Sequence, residues 1–158
     1  MIYHYFKFNL NSKLLISKML IQKELEITID GKGLYNITEI INQAIAKHRI
    51  AKGLCTLFIK HTSASLIIQE NADPNVLKDI LDFFDRVVPE SEIYAHKEEG
   101  PDDMPAHIKS ALTNTSINIP IKEKKLDLGT WQGVFIFEHR YKNNDPGIRR
   151  IISMTIVA

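Results

Sequence analysis

Residues 129–140 read GTWQGVFIFEHR, and the order of apolar and polar side chains in this stretch decides the fold class. Valine, isoleucine and phenylalanine in an unbroken run favour a pleated strand. Period two sets Gln132, Val134, Ile136, Glu138 and Arg140 on one face, and Trp131, Phe135, Phe137 and His139 on the other. A strand apolar on both faces is central in its sheet or covered by a partner. Glu138 and Gln132 are expensive on such a face, since an unsatisfied buried polar group costs roughly 1–3 kcal/mol. That cost points to a site or a subunit contact.

Outward from this strand the chain alternates in kind. TSINIPI (115–121) and RRIISMTIV (149–157) complete three closing strands, and IQKELEITI (21–29) alternates before the turn signal Asp30-Gly31-Lys32-Gly33. The stretch 53–70, GLCTLFIKHTSASLIIQE, reads as two short strands or one bent strand. LYNITEIINQAIAKH (34–48) carries Ile37, Ile40, Ile41, Ala44 and Ile45 at helical spacing. DPNVLKDILDFFDRVVP (73–89) opens with an Asp73 cap and Pro74 in the first turn, and continues with the stripe Val76, Leu77, Ile80, Phe83, Phe84 and Val87. MPAHIKSALTN (104–114) is a short helix with Asp103 as candidate cap and His107 in its first turn. The expected class is α+β, a largely antiparallel sheet packed with helices.

The 158 residues are 44% hydrophobic, enough for one domain with a real core. Charged residues make up 25% and the formal net charge is +1, which supplies no general pull toward nucleic acid or an anionic membrane. The one cysteine, Cys55, excludes an internal disulfide and, in GLCTLFI, reads as an inert buried thiol in a reducing, cytoplasmic compartment. Residues 1–18 lack the apolar block of a signal peptide and are too polar to span a membrane. They are expected to be a dispensable extension before Met19, with residues 19–158 as the single domain; a short added strand is the competing reading.

The chemistry concentrates in two places. His61 ends one strand and is followed by Thr62, Ser63 and Ser65, three hydroxyls that could hold a phosphate or simply bond to the backbone. Residues 94–112, YAHKEEGPDDMPAHIKSAL, bring His96, Glu98, Glu99, Asp102, Asp103 and His107 close together. A histidine at a helix start gains nothing from the dipole as a cation, so a neutral His107 could serve as ligand or base, while the two aspartates could be ordinary caps. Arg140, Arg149 and Arg150 could bind anions or lie in water. No nucleophile elbow and no glycine-rich phosphate loop is present.

HTSASLIIQENADPNV (61–76), YAHKEEGPDDMPAHIKS (94–110), LGTWQGVFIFEHR (128–140) and RRIISMTI (149–156) together resemble the YjbQ family of secondary thiamine-phosphate synthases, in order, from about Ile21 to Val157. The resemblance implies a compact α+β subunit of a homotrimer, with a site near subunit boundaries built from His61, His96, His107, Asp102, Asp103, Gln132 and Glu138. It implies condensation of a pyrimidine diphosphate with a thiazole phosphate, releasing pyrophosphate, as a secondary activity. His61, His96 and His107 could then converge on one divalent metal, zinc or magnesium. Asp102, Asp103 and Glu138 could hold Mg²⁺ or move protons, while Thr62, Ser63, Ser65 and Arg140 contact the phosphorylated heteroaromatic substrate. Two rivals stand beside the transferase: a metal-dependent hydrolase of a phosphate ester with Glu138 or an aspartate as base, and a non-enzymatic trimer that binds a small ligand.

Overall fold

The computed structural model describes residues 19–142 and 146–158; the expected extension, residues 1–18, lies outside the described residues. The elements run β1 (Leu20–Ile29), β2 (Gly33–Asn36), α1 (Thr38–Lys47), β3 (Lys52–Ile59), β4 (Ala64–Glu70), α2 (Pro74–Val87), α3 (Asp103–Leu112), β5 (Ser116–Lys122), β6 (Lys125–Leu126), β7 (Gln132–Glu138) and β8 (Ile148–Val157). The class is α+β, but the strands form two antiparallel sheets rather than one. A five-stranded sheet has the order β1-β8-β3-β5-β6, and a three-stranded sheet has β2-β7-β4. Residues 60–63 carry the chain from one sheet to the other, so the 53–70 stretch is two strands that do not pair with each other.

β7 is the central strand of its sheet, with Phe135 opposite Ile67 on one side and Asn36 on the other. Val134 through Phe137 are all buried. Val134 and Ile136 join the main apolar cluster with Leu57, Ile59, Ile152 and Met154 of the larger sheet and Ile41 and Ile45 of α1. The opposite face meets α2, where the Phe84 and Phe137 rings stack edge to face at 5.2 Å. Both faces of β7 are covered within the subunit. Trp131 is the exception: it precedes the strand and is 64% exposed.

Two local features depart from the sequence reading. Residues 33–36 extend as β2 against β7 instead of opening the helix, because Ile37 N–H bonds the Val134 carbonyl and carries the chain out of the sheet. β6 follows a two-residue turn in which Glu123 and Lys124 both adopt positive φ, a tight hairpin without glycine. α2 begins as its sequence predicts, with Asp73 accepting from Asn75 N–H at 2.8 Å and Pro74 next. Its apolar stripe is only half covered, and Phe83 and Val87 remain about half exposed. Cys55 is a buried free thiol, and burial pushes its pKa up to about 12. No helix among the described residues is long and apolar enough to cross a membrane.

Candidate metal centre

Asp103 opens α3, and His107 follows one turn later on the same helix face. Asp103 Oδ2 lies 2.7 Å from His96 Nε2 and 3.4 Å from His107 Nε2. Their ligand atoms fall within 4.8 Å of one another. The aspartate is only 2% exposed, while both histidines reach solvent. His107 Nδ1 sits 3.1 Å from the Thr62 carbonyl oxygen. A carbonyl only accepts, so Nδ1 carries a proton, and Nε2 is the ring atom turned toward the carboxylate. A cation can bridge two imidazoles and a buried carboxylate at this spacing. A divalent metal fits, with the Thr62 carbonyl fixing the ligand tautomer. Two imidazoles and one carboxylate suit zinc or a similar transition ion better than magnesium, which prefers oxygen donors.

Arg140 holds this cluster together. Its Nε donates to Asp102 Oδ2 at 3.0 Å, its Nη1 to Asp103 Oδ1, and its Nη2 to the Glu99 carbonyl at 2.8 Å. Asp102 also accepts from Tyr141 N–H at 2.9 Å. Neither aspartate caps α3, since Asp102 at the cap position makes no side-chain cap bond and Asp103 is already helical. The half-buried guanidinium beyond the end of β7 draws both carboxylates away from the helix end. Gly100, at φ 109°, makes the turn that delivers the two aspartates, and a Cβ there would lie 3.2 Å from Asp102 Oδ1. Each nitrogen of Arg140 thus donates within the protein, which makes it a positioning group for the two aspartates; it was expected as a phosphate contact.

The other expected site residues separate. His61 does not join His96 and His107: its Nε2 accepts from Ile151 N–H at 2.8 Å and its Nδ1 faces Arg150 Nη1 at 3.3 Å. The backbone of β8 lies alongside the end of β3 and takes the ring, so the three-histidine set gives way to His96, Asp103 and His107. Glu138 is fully buried and accepts from His139 N–H (3.1 Å), Arg140 N–H (2.9 Å) and Arg150 Nη2 (2.7 Å) and Nε (2.5 Å). Three of these contacts fall on Oε1 and one on Oε2, so it sits as the buried counter-ion of Arg150, whereas a base or metal ligand was expected. The cost of a glutamate on the Val134–Ile136 face is met by Arg150 of β8, not by a site. Gln132 lies at the far end of β7, exposed, and closes its own turn by accepting from Gly129 N–H at 2.8 Å. Ser65 is buried away from any substrate, accepting from Thr113 Oγ1 at 2.6 Å. Thr62 and Ser63 stay at the surface beside the cluster.

His139 is buried with Nε2 3.0 Å from Ser65 Oγ. Burial first, then the charges of Lys109 and Arg150, push its pKa down to about 3. Lys109, 2% exposed on α3, is neutralised by Asp85 at 2.6 Å. Period two does place His139 among the phenylalanines; nothing in the sequence marks Lys109 as buried.

Two cavities adjoin the cluster. One of about 610 Å³ is lined by Phe58, Lys60, His61, Thr62, Ser63 and Thr115. Thr62 links it to His107. The other, of about 360 Å³, includes Tyr94, His96, Lys97 and Gly100 in its wall.

The comparisons agree with this architecture. The family model described as UPF0047 protein YjbQ-like matches residues 23–158. UPF0047 protein sll1880 of Synechocystis is 55% identical over 132 residues, covering 83% of this chain and 88% of that one. UPF0047 protein YjbQ of Escherichia coli O157:H7 is 44% identical over 133 residues, 84% of this chain and 94% of that one. Among solved structures, an uncharacterised yjbq/upf0047-family protein of Clostridium acetobutylicum superposes with a TM-score of 0.71 at 34% identity, over 86% of this chain and 98% of the other. A YbjQ-like protein of unknown function from Sulfolobus solfataricus gives a TM-score of 0.78 at 22% identity, over 89% and 99%, and shows the shared fold. With the two-sheet fold, the ordered motifs and a match across nearly all the described residues, this chain belongs to the YjbQ/UPF0047 family.

Proposed function

We propose that the protein is a metal-dependent enzyme acting on phosphorylated heteroaromatic small molecules, with thiamine-phosphate-synthase-type transfer as its reaction. The carrying observation is His107, whose Nδ1 is fixed by the Thr62 carbonyl while Nε2 faces the buried Asp103 carboxylate beside His96. His96, Asp103 and His107 would hold the ion. When bound, a divalent ion there would supply a Lewis acid that clamps phosphate oxygens. Arg140 keeps Asp103 aimed at the cluster, and the hydroxyls of Thr62 and Ser63 face a substrate entering from the larger cavity. Cavities on both sides of the cluster suit a reaction that joins two molecules.

Hydrolysis of a phosphate ester is the second reading, and the donor set favours it: two imidazoles and one carboxylate suit an ion that lowers the pKa of bound water. One experiment separates the readings. The purified protein is given the pyrimidine diphosphate and thiazole phosphate together, then a panel of phosphate esters, and pyrophosphate, thiamine phosphate and orthophosphate are measured. Pyrophosphate released in step with thiamine phosphate supports the transferase; orthophosphate without condensation supports the hydrolase. Turnover of neither, with tight ligand binding, overturns both and leaves a binding module. A homotrimer belongs to the same proposal, supported by the exposed Phe83, Val87 and Trp131, as does a cytoplasmic setting, supported by the lone reduced cysteine.

A further inference from the structure

We propose that His61, Ser63 and Arg150 form an oxyanion subsite in the wall of the 610 Å³ cavity, taking a phosphate group of the substrate. This rests on the reading above, because it locates one phosphorylated substrate beside the metal cluster. It depends on hydrogen-bond valence rather than on the metal.

His61 Nε2 accepts from Ile151 N–H at 2.8 Å, so the proton of the neutral ring is on Nδ1. That N–H points toward Arg150 Nη1 at 3.3 Å. Both groups are donors, and a donor facing a donor makes no bond. The rest of the Arg150 fork is committed: Nε and Nη2 bind the two Glu138 oxygens, and Nη2 also reaches Ser63 Oγ at 3.3 Å. Among the described residues, Nη1 has no other neighbour to accept its hydrogens. The Ser63 oxygen is occupied as an acceptor, which leaves its own hydrogen to donate. His61 and Ser63 both line the cavity, with Thr62 between them. Arg150, 8% exposed, is not itself a lining residue and meets that wall through His61 and Ser63.

His61 Nδ1–H, Arg150 Nη1 and the Ser63 hydroxyl stand together at this wall with no acceptor among the described residues. A ligand that only accepts, with several oxygens in a compact group, satisfies them together, and a phosphate has that chemistry. Burial, Arg150 and Lys60 hold the His61 pKa below its ordinary value, so the ring stays neutral and keeps the Nδ1 hydrogen available. The Arg150 charge is balanced by Glu138, so recognition here is by aligned donors more than by net charge. Inorganic phosphate and a substrate monoester share the chemistry.

The test is phosphate binding, read by calorimetry and by the imidazole nitrogen resonances of the full chain. Phosphate should shift the His61 Nδ1 signal, and His61→Leu and Ser63→Ala should each weaken phosphate by about tenfold to a hundredfold, the range of one hydrogen bond to a charged group. His61→Leu also removes the acceptor for Ile151, so Ser63→Ala keeps the test valid if the first variant is unstable. His96→Ala, which removes a metal ligand, should bind phosphate as wild type does, whereas phosphate held by the metal would be lost in it. Phosphate binding in a protein that turns over no substrate upholds the subsite while removing the transferase reading. The inference is overturned if phosphate leaves the His61 signal unmoved at tens of millimolar, or if Ser63→Ala and a folded His61→Leu bind like wild type. A monoester that competes with inorganic phosphate in wild type identifies the natural occupant as a substrate group; failure to compete at saturating phosphate overturns the assignment to substrate.

Discussion

Glu138→Gln separates a catalytic carboxylate from a structural one. The side chain is 0% exposed and its partner Arg150 is 9% exposed, so the pair is shielded from water. Glutamine preserves the volume and can keep one carbonyl oxygen for His139 N–H, Arg140 N–H and Arg150 Nη2. The second oxygen becomes an amide that donates, and it faces Arg150 Nε, now 2.5 Å from Oε2. The substitution thus leaves a buried guanidinium without its counter-charge and sets a donor against a donor. Breaking one side of a buried ion pair costs roughly 3–5 kcal/mol. At about 2–4 °C per kcal/mol for a chain of this size, the melting temperature should fall by about 6–20 °C. Thermal and urea unfolding at pH 7 and fixed protein concentration measure it. Glu138→Leu combined with Arg150→Met removes both charges and should recover most of the loss, while abolishing phosphate binding at His61. A Glu138→Gln protein that melts within about 2 °C of wild type but has lost turnover would refute this reasoning and return Glu138 to the chemistry.

Three further outcomes follow from the same contacts. Metal analysis of purified protein should show a transition ion such as zinc that is lost in His96→Ala, His107→Ala and Asp103→Asn but retained in His61→Ala; retention in all four removes the metal centre. His139, with its folded pKa pushed down to about 3, contributes stability that is complete above its unfolded pKa of roughly 6.5 and is lost as pH falls toward 3, at up to about 1.4 kcal/mol per unit. His139→Gln should flatten that acid slope in urea titrations, and an unchanged slope counts against it. A chain beginning at Met19 should give the same assembly mass as the full chain by light scattering; a smaller assembly or an aggregate in the short form alone assigns residues 1–18 to a subunit contact.

The fold was legible where one local signal acted alone. Asp73-Pro74 marked the start of α2, and the doubly apolar Val134–Phe137 run marked a central strand. Tertiary competition hid the rest. Residues 33–36 continue a helical pattern on paper, yet β7 offers an unpaired edge and the backbone takes it. Residues 123–124 carry no glycine or asparagine, so a left-handed two-residue turn has no signature there. The division into two sheets depends on which edges meet after residues 60–63, which no single strand encodes.

The site shows the same limit from the chemical side. Three histidines were visible as candidates, but spacing cannot tell which ring meets which neighbour. His96 and His107 belong together because Asp103 is one helical turn before His107 and seven residues after His96, and that i, i+4 relation was present in the sequence. His61 was separated from them by a contact with no sequence signal, the Ile151 amide of a strand ninety residues away. The arginines exchanged roles for a related reason. Arg140 lies two residues beyond β7 and meets Asp102 and Asp103 at the start of α3, so each of its three nitrogens donates inside the protein. Arg150 meets a single carboxylate, which can accept from one edge of the fork and leaves Nη1 over. On the two proposals made above, the acidic loop and α3 would hold a cation and the β3–β4 crossing an anion. Thr62 joins the two, its carbonyl on His107 and its neighbours His61 and Ser63 on the phosphate side.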